Sequence, residues 1–578
     1  MFSEEQLKAI KNFDKRILLL AGAGAGKTTT LIEKISYIIE KNLISPYEIL
    51  AITFTNKAMK ELKERIAKKF DEKIANRMTV STFHGLCYRI IKENYEKLGY
   101  SKDITIYDEY DSFDLLIEIN DDLGRPLSER KLKNIFNKKN KDSTERRIIS
   151  EYNFRLKRDN AVDFSMMLKS VVELFKISKI QEYYRRKWRY VLVDEYQDTN
   201  DIQYEFLKLL NPNYLFVVGD PDQSIYGWRG ANIKIILNFL ELEKESKILK
   251  LQNNYRSGKK IVDIANELIK NNIGRLEKTL IPKREIESNI EVTTLKNEVE
   301  ESEFVANKIK ELLNLGVNPN EIAVLYRKNS QSAFLSEILR SEEIRFTVSK
   351  KYDVLGTSSA REIINLIKLA KRRNNSFLAK QFFRKTLKYE PIEILRLESE
   401  ATNKGISILK KWEETHKKFI EYNDDLIAII SAIFDEFKFY EYYDIYSEKK
   451  NDYTRFAKFI DKWASKFGNN TDEFLKWLLL KDETDFFDLE DKESVKLMTI
   501  HTAKGLEFEN VFIIGCNDGN YPAGKSSDFE EERRLFYVAI TRAKKNLFFT
   551  KVKKTFKGFG AKKVEFSIAE SPFLKEIM

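Results

Sequence analysis

The chain has few cysteines and histidines, which build disulfide frameworks and metal sites, and it lacks the long apolar runs of membrane spans. Its 578 residues include 2 cysteines and 3 histidines. Cys87 and Cys516 are far apart, which suits a reducing compartment and does not indicate a metal site. No apolar run approaches the roughly 18 residues that a membrane span needs, and residues 1–15 lack the apolar segment of a signal peptide. We therefore expect a cytoplasmic protein with no membrane partner.

The low glycine and proline content indicates a folded and helix-rich chain. There are 21 glycines and 9 prolines beside 42% hydrophobic and 33% charged residues, which excludes a disordered or fibrous protein. The length is too great for one core and predicts several domains. The net charge of +11 arises from 101 basic and 90 acidic residues, and alone it indicates a polyanionic partner only weakly.

A glycine-rich turn near the N-terminus is the most informative feature. An apolar run at 17–20 leads into a turn that ends on Lys27 and Thr28, and a helical pattern follows. Backbone N–H groups of such a turn wrap a polyphosphate, while Lys27 reaches the β- and γ-phosphates and the Thr28 hydroxyl binds Mg²⁺. Ala21 stands where the strict P-loop pattern has glycine, so a flexible turn is the alternative. The predicted nucleotide-binding residues of this segment are Ala21, Gly22, Ala23, Gly24, Ala25, Gly26, Lys27, Thr28 and Thr29.

Strand-like runs fall into two groups separated by helical patterns, which is typical of α/β folds with parallel sheets. The runs lie at 17–20, 49–53, 191–193 and 215–218, and at 322–326, 495–500, 511–514 and 547–550. We predict two nucleotide-type lobes, each with a mainly helical insertion. Lobe one takes 1–84 and 186–250 around an insertion at 85–185, and lobe two takes 251–345 and 491–578 around an insertion at 346–490.

Two carboxylates and two arginines complete the predicted chemistry. Asp194 and Glu195 follow an apolar strand, where an acidic pair can hold Mg²⁺ and activate the attacking water. Arg256 and Arg542 lie in the second half of the chain. A guanidinium that neutralises the developing phosphate charge adds roughly 10³–10⁵ in rate, so hydrolysis would require the two lobes to close. Surface salt bridges are the alternative for either arginine alone.

Further motifs follow one another in a fixed order and cover nearly the whole chain. Beside the glycine-rich turn they are Gln6 in FSEEQ, TFTNKA at 53–58, TFH at 82–84, DEYQDTN at 194–200, GDPDQSIYGWRGA at 219–231, NYRS at 254–257, VLYRKNSQS at 324–332, LMTIHTAKGLEFENVF at 497–512 and EERRLFYVAITRAK at 531–544. This ordered set resembles the UvrD/Rep/PcrA group of superfamily 1 DNA helicases.

The resemblance implies two RecA-like P-loop lobes, ATP and Mg²⁺ as cofactors, and ATP-driven 3′–5′ movement along single-stranded DNA in repair, replication or recombination. It assigns catalysis to Lys27, Asp194, Glu195, Gln223, Arg256 and Arg542, and Mg²⁺ binding to Thr28 and Asp194. It adds Gln6, Tyr255 and Glu507 to the nucleotide site. It assigns DNA contacts to Phe54, Thr55, Asn56, His84, Phe164, Tyr226, Trp228, Arg229, His501 and Thr502.

The aromatic residues among these suit single strands, because an aromatic face stacks on any base. Trp228 lies beside glycines and an arginine, which is not a core segment, whereas core packing stays an alternative for Phe54 and Phe164. His84 and His501 lie inside motifs and are expected to be polar relays rather than metal ligands. His416 lies among charged residues and is expected to be exposed.

Two other functions stay open. A helicase-like subunit of a RecB/AddA-type complex would need nuclease sequence after the last motif, where only 545–578 remain. An ATP-switched single-strand binding protein is disfavoured by Glu195 and the two arginines. We expect junctions of single- and double-stranded DNA as partners and a monomer or a DNA-induced dimer. The insertion at 346–490 shows no duplex-holding element, although charged stretches such as 368–373 could contact phosphates, so weak unwinding is expected.

Overall fold

The computed structural model describes residues 2–136, 141–348, 357–371, 375–386, 389–390, 392–394, 396, 425–436, 467, 470–479, 493–524, 528–557 and 564–578. His416 and much of the predicted insertion at 346–490 lie outside these residues. The chain forms two compact units. The first consists of Met1–Phe83, Phe175–Lys351 and Asp482–Met578, and the second consists of His84–Leu174 and Tyr352–Lys481.

The strands are β1 (Arg16–Ala21), β2 (Ile49–Thr53), β3 (Thr79–Thr82), β4 (Thr105–Tyr107), β5 (Ala161–Asp163), β6 (Tyr190–Val193), β7 (Tyr214–Gly219), β8 (Ser246–Leu251), β9 (Asn253–Asn254), β10 (Ile281–Pro282), β11 (Asn289–Leu295), β12 (Ile322–Tyr326), β13 (Phe346–Val348), β14 (Val495–Thr499), β15 (Phe508–Ile513), β16 (Ala543–Val552), β17 (Lys554–Lys557) and β18 (Val564–Ser567). The α-helices are Glu4–Lys11, Lys27–Glu40, Asn56–Lys69, Glu72–Arg77, Phe83–Glu93, Glu109–Asp122, Glu129–Lys133, Ser143–Arg158, Phe164–Phe175, Ser178–Lys187, Asp201–Leu210, Lys234–Leu237, Phe239–Leu242, Lys259–Ile269, Glu298–Asn314, Ser332–Ser341, Ser358–Lys371, Ser376–Gln381, Leu426–Glu436, Thr471–Leu479, Phe529–Ile540 and Pro572–Lys575.

The first unit contains a parallel sheet in the order β3-β2-β6-β7-β1-β8. Strand β1 runs between β7 and β8, with Leu19 opposite Val218 and Leu249. Its residues 17–21 are completely buried, which is typical of a parallel strand covered by helices on both faces. Because all strands are parallel, their carboxyl ends meet at one edge, where ligands bind in such folds. The glycine-rich turn follows β1 there, and the acidic pair follows β6.

A second parallel sheet, in the order β11-β16-β15-β12-β14-β13, lies in the same unit. We call the part built on the first sheet lobe one and the part built on the second sheet lobe two. One apolar cluster joins lobe-two residues such as Phe536 and Met498 to Ala23 and Tyr226 of lobe one. The model thus contains two RecA-like lobes, which confirms the predicted fold class. The unit boundaries do not separate the two lobes, so the predicted domain limits stay a prediction.

The second unit combines helices of the first predicted insertion with the described helices of the second. It contains the parallel pair β4 and β5. Asp111, which is completely buried, pairs with Arg361 and Lys368 of the helix Ser358–Lys371. The expectation that Lys368 contacts phosphates is therefore wrong, because its ammonium group is buried between carboxylates. In the described part of the chain, no helix is long and apolar enough to cross a membrane.

Candidate nucleotide and nucleic-acid site

The glycine-rich turn adopts a backbone that only glycine accepts readily. Gly24 has φ +67° and Gly26 has φ +77°, both in the left-handed region. A Cβ atom on Gly24 would lie 2.7 Å from Nδ2 of Asn254. That amide nitrogen donates a hydrogen bond of 2.7 Å to the Ala23 carbonyl. Asn254 of lobe two thus holds the turn directly before the helix that begins at Lys27.

Two of the residues that the resemblance adds to the nucleotide site, Gln6 and Tyr255, contact this turn. Gln6 lies in the first turn of the helix Glu4–Lys11, where it forms a capping box with Ser3. Its Nε2 donates to the Ala25 carbonyl at 3.4 Å. The backbone N–H of Tyr255 donates to the Gly24 carbonyl at 2.9 Å, and the Tyr255 side chain is exposed. The structure therefore brings Gln6 of lobe one and Tyr255 of lobe two to the same loop.

The acidic pair lies next to two lysines. The Nζ atom of Lys27 is 3.7 Å from a Glu195 carboxylate oxygen, and Nζ of Lys504 is 3.9 Å from the other. Burial raises the pKa of Glu195, but the charges of Lys27 and Lys504 outweigh it and lower this pKa to about 2. Glu195 therefore stays ionised at neutral pH, as a residue that orients and deprotonates water must be.

The donor set beside Glu195 fits Mg²⁺. Thr28 and Asp194 line the same cavity, and hydroxyl and carboxylate oxygens are the ligands that this hard cation prefers. Burial and the Glu195 charge raise the pKa of Asp194 to about 7. A bound divalent cation would favour the ionised carboxylate, so a cation relieves the electrostatic cost of this position.

The two predicted finger arginines lie in lobe two and are held by defined partners. Arg542 precedes β16 and is completely buried, with its guanidinium donating to Oε1 of Gln223 at 3.3 Å and to the Leu506 carbonyl at 3.1 Å. Burial, followed by the charge of Arg256, lowers the pKa of Arg542 to about 9. Arg256 pairs with Glu507 at 2.6 Å. The surface salt-bridge alternative is therefore wrong for Arg542, since its side chain is buried.

A cavity of about 210 Å³ joins the acidic pair to an aromatic patch. The patch consists of Phe54, Tyr226, Trp228, Arg229 and His501, all of which line this cavity. The other lining residues are Thr28, Thr55, Lys57, Ala58, Glu61, Asp194, Glu195, Asp198, Thr502, Lys504, Gly505 and Leu506. Groups assigned to ATP and groups assigned to DNA therefore share one space within the first unit.

Trp228 is the most accessible ring of the patch. Its side chain is 61% exposed, and the guanidinium of Arg229 lies 4.7 Å from the ring centre. The His501 ring stands edge-on to it at 6.1 Å. Burial, followed by the charges of Arg327 and Arg229, lowers the pKa of His501 to about 3. His501 is therefore neutral at physiological pH and acts in the patch as an aromatic and hydrogen-bonding group rather than as a cation.

Phe54 packs against the lobe-two core and also lines the cavity, and its contact with DNA stays a prediction. It stacks on Tyr226 with ring centres 5.5 Å apart. Thr55 caps the helix Asn56–Lys69 by accepting from Ala58 N–H at 3.2 Å, which places Asn56 in the first turn of that helix. The hydroxyl of Thr502 lies 2.9 Å from that of Thr499.

The remaining predicted DNA contacts lie in the second unit. His84 and Phe164 begin or nearly begin the helices Phe83–Glu93 and Phe164–Phe175. Their rings are 5.2 Å apart, and both side chains are half-buried. The structure thus brings these two residues to each other, and their DNA contact stays a prediction.

Sequence reasoning missed Lys504, which occupies the centre of the site. Its ammonium group pairs with Asp198, donates to the Gln223 carbonyl at 3.0 Å, and lies 5.0 Å from the Tyr226 ring centre. Lys504 stands inside the motif at 497–512, next to Gly505, and that position was the available signal. It links the acidic pair to the aromatic patch.

Comparisons with known proteins agree with this geometry. A family model described as the UvrD/REP helicase N-terminal domain matches residues 2–138 and 125–244. A model described as the UvrD-like helicase C-terminal domain matches residues 249–467 and 438–554. The chain therefore belongs to the UvrD/REP helicase family, a class of ATP-dependent DNA helicases with ATPase activity, which confirms the resemblance.

Particular relatives match the chain over 94% to 100% of its length. The ATP-dependent DNA helicase PcrA of Staphylococcus aureus strain Mu50 is 32% identical over 602 residues, which are 94% of this chain and 82% of the relative. The protein of the same name from Staphylococcus epidermidis is 32% identical over 633 residues, which are 100% of this chain and 86% of the relative.

Proposed function

We propose that this protein is an ATP-driven 3′–5′ translocase on single-stranded DNA and a helicase that acts at junctions of single- and double-stranded DNA in repair, replication or recombination. The polarity is the one that the family resemblance implies. The observation that carries the proposal is that one cavity is lined both by Asp194 and Glu195 and by the aromatic patch that contains the exposed Trp228. A site for hydrolysis alone needs no exposed aromatic surface.

The charged residues have complementary roles in hydrolysis. Lys27 binds the phosphates, and Glu195 accepts a proton from the attacking water, since its carboxylate is ionised. Arg256 and Arg542 of lobe two stabilise the charge on the transferred phosphoryl group. Thr28 and Asp194 would hold Mg²⁺, which neutralises phosphate charge when bound. Because the arginines and the lysine belong to different lobes, hydrolysis depends on how closely the lobes approach.

The DNA side supports a grip that does not depend on sequence. Trp228, Tyr226 and Phe54 present aromatic faces, which stack on every base. Arg229 and Lys504 add positive charge beside the rings, as a phosphate backbone requires. Residues that read base edges in a duplex are not needed for such a function.

The two alternatives are less well supported. An ATP-switched binding protein without turnover needs neither an ionised Glu195 nor two arginines near the phosphates. A subunit of a RecB/AddA-type complex is disfavoured because the PcrA relatives, named as helicases in their own right, align over 94% to 100% of this chain.

Strand displacement tests the proposal. Duplexes with a 3′ or a 5′ single-stranded tail are incubated with enzyme and ATP, and the released strand is measured. The 3′-tailed duplex should be opened and the 5′-tailed duplex should not. Glu195→Gln should abolish displacement while it leaves DNA binding intact. Equal opening of both substrates, or opening by Glu195→Gln, would show that the proposed polarity or the proposed base is wrong.

A further inference from the structure

A cluster of four charged residues joins the lobes at the loop that follows β7. Asp220 and Asp222 belong to lobe one, and Arg275 and Lys278 follow the lobe-two helix Lys259–Ile269. The ammonium nitrogen of Lys278 lies 2.6 Å from Oδ1 of Asp220 and also pairs with Asp222. Arg275 contacts Asp222 at 2.9 Å. The two positive and two negative charges balance each other.

Three of the four side chains are almost completely buried. The side chains of Lys278, Asp220 and Asp222 are 1%, 0% and 2% exposed. Burial lowers the pKa of Lys278, but the charges of Asp220 and Asp222 outweigh it and raise this pKa. A buried ion pair contributes little net stability relative to apolar residues, whereas loss of one partner is costly. The presence of the cluster is therefore not explained by stability alone.

Asp220 connects the cluster to Gln223. Its second carboxylate oxygen accepts a hydrogen bond of 2.6 Å from Nε2 of Gln223. The carbonyl oxygen of the same amide accepts from Arg542 at 3.3 Å. One carboxylate therefore binds Lys278 through one oxygen and Gln223 through the other, and Gln223 is held in the orientation that turns its carbonyl towards Arg542.

The same aspartate is tied to the catalytic carboxylate. The backbone N–H of Asp220 donates to Oε1 of Gln197 at 2.8 Å, and Nε2 of Gln197 donates to Glu195. Asp220 thus lies between Glu195, Gln223 and Lys278. A shift of its carboxylate would disturb the Gln223 amide, which touches a finger arginine directly.

We propose that Lys278 is a positioning residue for ATP hydrolysis, which acts by fixing Asp220 and through it the orientation of Gln223 towards Arg542. The proposal rests on the role proposed above for Arg542 in hydrolysis and on the catalytic role that the family resemblance assigns to Gln223. Lys278 itself touches neither of these side chains, and it lies outside every motif that the sequence singled out.

A double-mutant cycle on kcat tests this inference. Lys278→Met keeps the apolar stem and removes the charge, and it should lower the DNA-stimulated kcat for ATP by about 10-fold or more, within the range for residues of one contact network. The KM for ATP should change by less than about 3-fold, because the Lys278 side chain pairs with Asp220 and Asp222 rather than with the nucleotide loop. Gln223→Ala should lower kcat by itself. The double variant Lys278→Met with Gln223→Ala should be no slower than Gln223→Ala alone.

A structural role would give a different result. If Lys278 only stabilised the fold, its effect on kcat would multiply with that of Gln223→Ala in the double variant, and the inference would be refuted. If Gln223→Ala itself hydrolysed ATP at the normal rate, the proposed role of Gln223 would fail instead. The two failures are therefore distinguishable within one experiment.

A charge-balanced variant tests the inference if Lys278→Met alone fails to fold. Lys278→Met combined with Asp222→Asn removes one charge of each sign, so Asp220 and Arg275 still balance, but Asp220 has lost Lys278. It should fold, as measured by thermal unfolding, and still show the loss in kcat; a folded variant with normal kcat would overturn the inference. Lys278→Arg should restore part of the rate. Lys259→Met, at an exposed lysine that pairs with Asp263 at 2.6 Å, is the matched control and should hydrolyse ATP normally.

Discussion

Removal of the Trp228 side chain should weaken the grip on single-stranded DNA without damage to the fold. Trp228 lies in the short turn Gly227–Arg229 and is 61% exposed. Trp228→Ala therefore leaves no cavity in the core, and exposed substitutions of this kind change stability by only about 0.5 kcal/mol or less. Arg229 and His501 lose their contacts with the indole ring, but both still contact the Tyr226 ring.

The expected loss of affinity follows from stacking. A base stacked on an aromatic side chain contributes about 1–3 kcal/mol, which corresponds to a rise in Kd of roughly 5- to 150-fold. The rise should be similar for oligonucleotides of different sequence, since every base has an aromatic face. The slope of log Kd against log salt should not change, because the indole neutralises no phosphate.

Fluorescence anisotropy with labelled homopolymeric and mixed oligonucleotides measures these quantities, and ATP turnover without DNA serves as the test of an intact nucleotide site. Tyr183→Ala is a matched control, because Tyr183 is 57% exposed in the same unit but does not line the cavity. An unchanged Kd for Trp228→Ala would refute the stacking role. Loss of basal turnover or of the fold would show that Trp228 is a structural residue.

Two further predictions concern buried charges. Arg542→Ala should lower the DNA-stimulated kcat by at least about 100-fold while nucleotide binding survives, given what a finger arginine supplies; near-normal turnover would contradict the assignment. In the second unit, Asp111→Asn removes the carboxylate that pairs with both Arg361 and Lys368, and urea unfolding should show a loss of about 3–5 kcal/mol. Asp121→Asn, which breaks the exposed pair with Arg125, should cost about 1 kcal/mol or less.

The central strands of both lobes could be predicted from sequence, and the edge strands could not. Strand β6 and strand β1 after Arg16 are apolar, because helices cover both faces of a parallel sheet. Strand β8, with the sequence SKILKL, lies at the edge of its sheet and alternates apolar residues with lysines, so its pattern is short and weak. Strands β3, β11 and β13 were missed as well, and they are the other edge strands of the two sheets.

In the candidate site, residues that follow an apolar strand could be predicted from the sequence, whereas residues that are buried by distant partners could not. Lys27, Asp194 and Glu195 could be predicted because each follows an apolar strand, so local pattern and function coincide. Lys278 binds a residue 56 positions away, and nothing in its own neighbourhood indicates burial. A lysine in a polar stretch is by default exposed, and only the approach of the two lobes makes it a core residue. Lys368 of the second unit was misjudged because its partner Asp111 is likewise distant in the sequence.

The segment from Asp220 to Arg229 is where the nucleotide and DNA sides meet, and lobe two holds it along its length. Gln223 at one end contacts Arg542, while Trp228 at the other end carries the exposed ring. The anchoring contacts between these ends are Arg534 to the Ser224 carbonyl at 2.9 Å, Tyr226 to the His501 carbonyl at 3.3 Å and Gly227 N–H to Glu531 at 3.0 Å. Packed interfaces of this kind change between discrete arrangements rather than deform gradually. If the lobes close during ATP hydrolysis, as the proposed function requires, these contacts must break or exchange, and we expect Trp228 to move relative to Phe54, whose backbone belongs to the loop after β2 of lobe one. We expect the grip on a base to alternate with the state of the nucleotide for this reason.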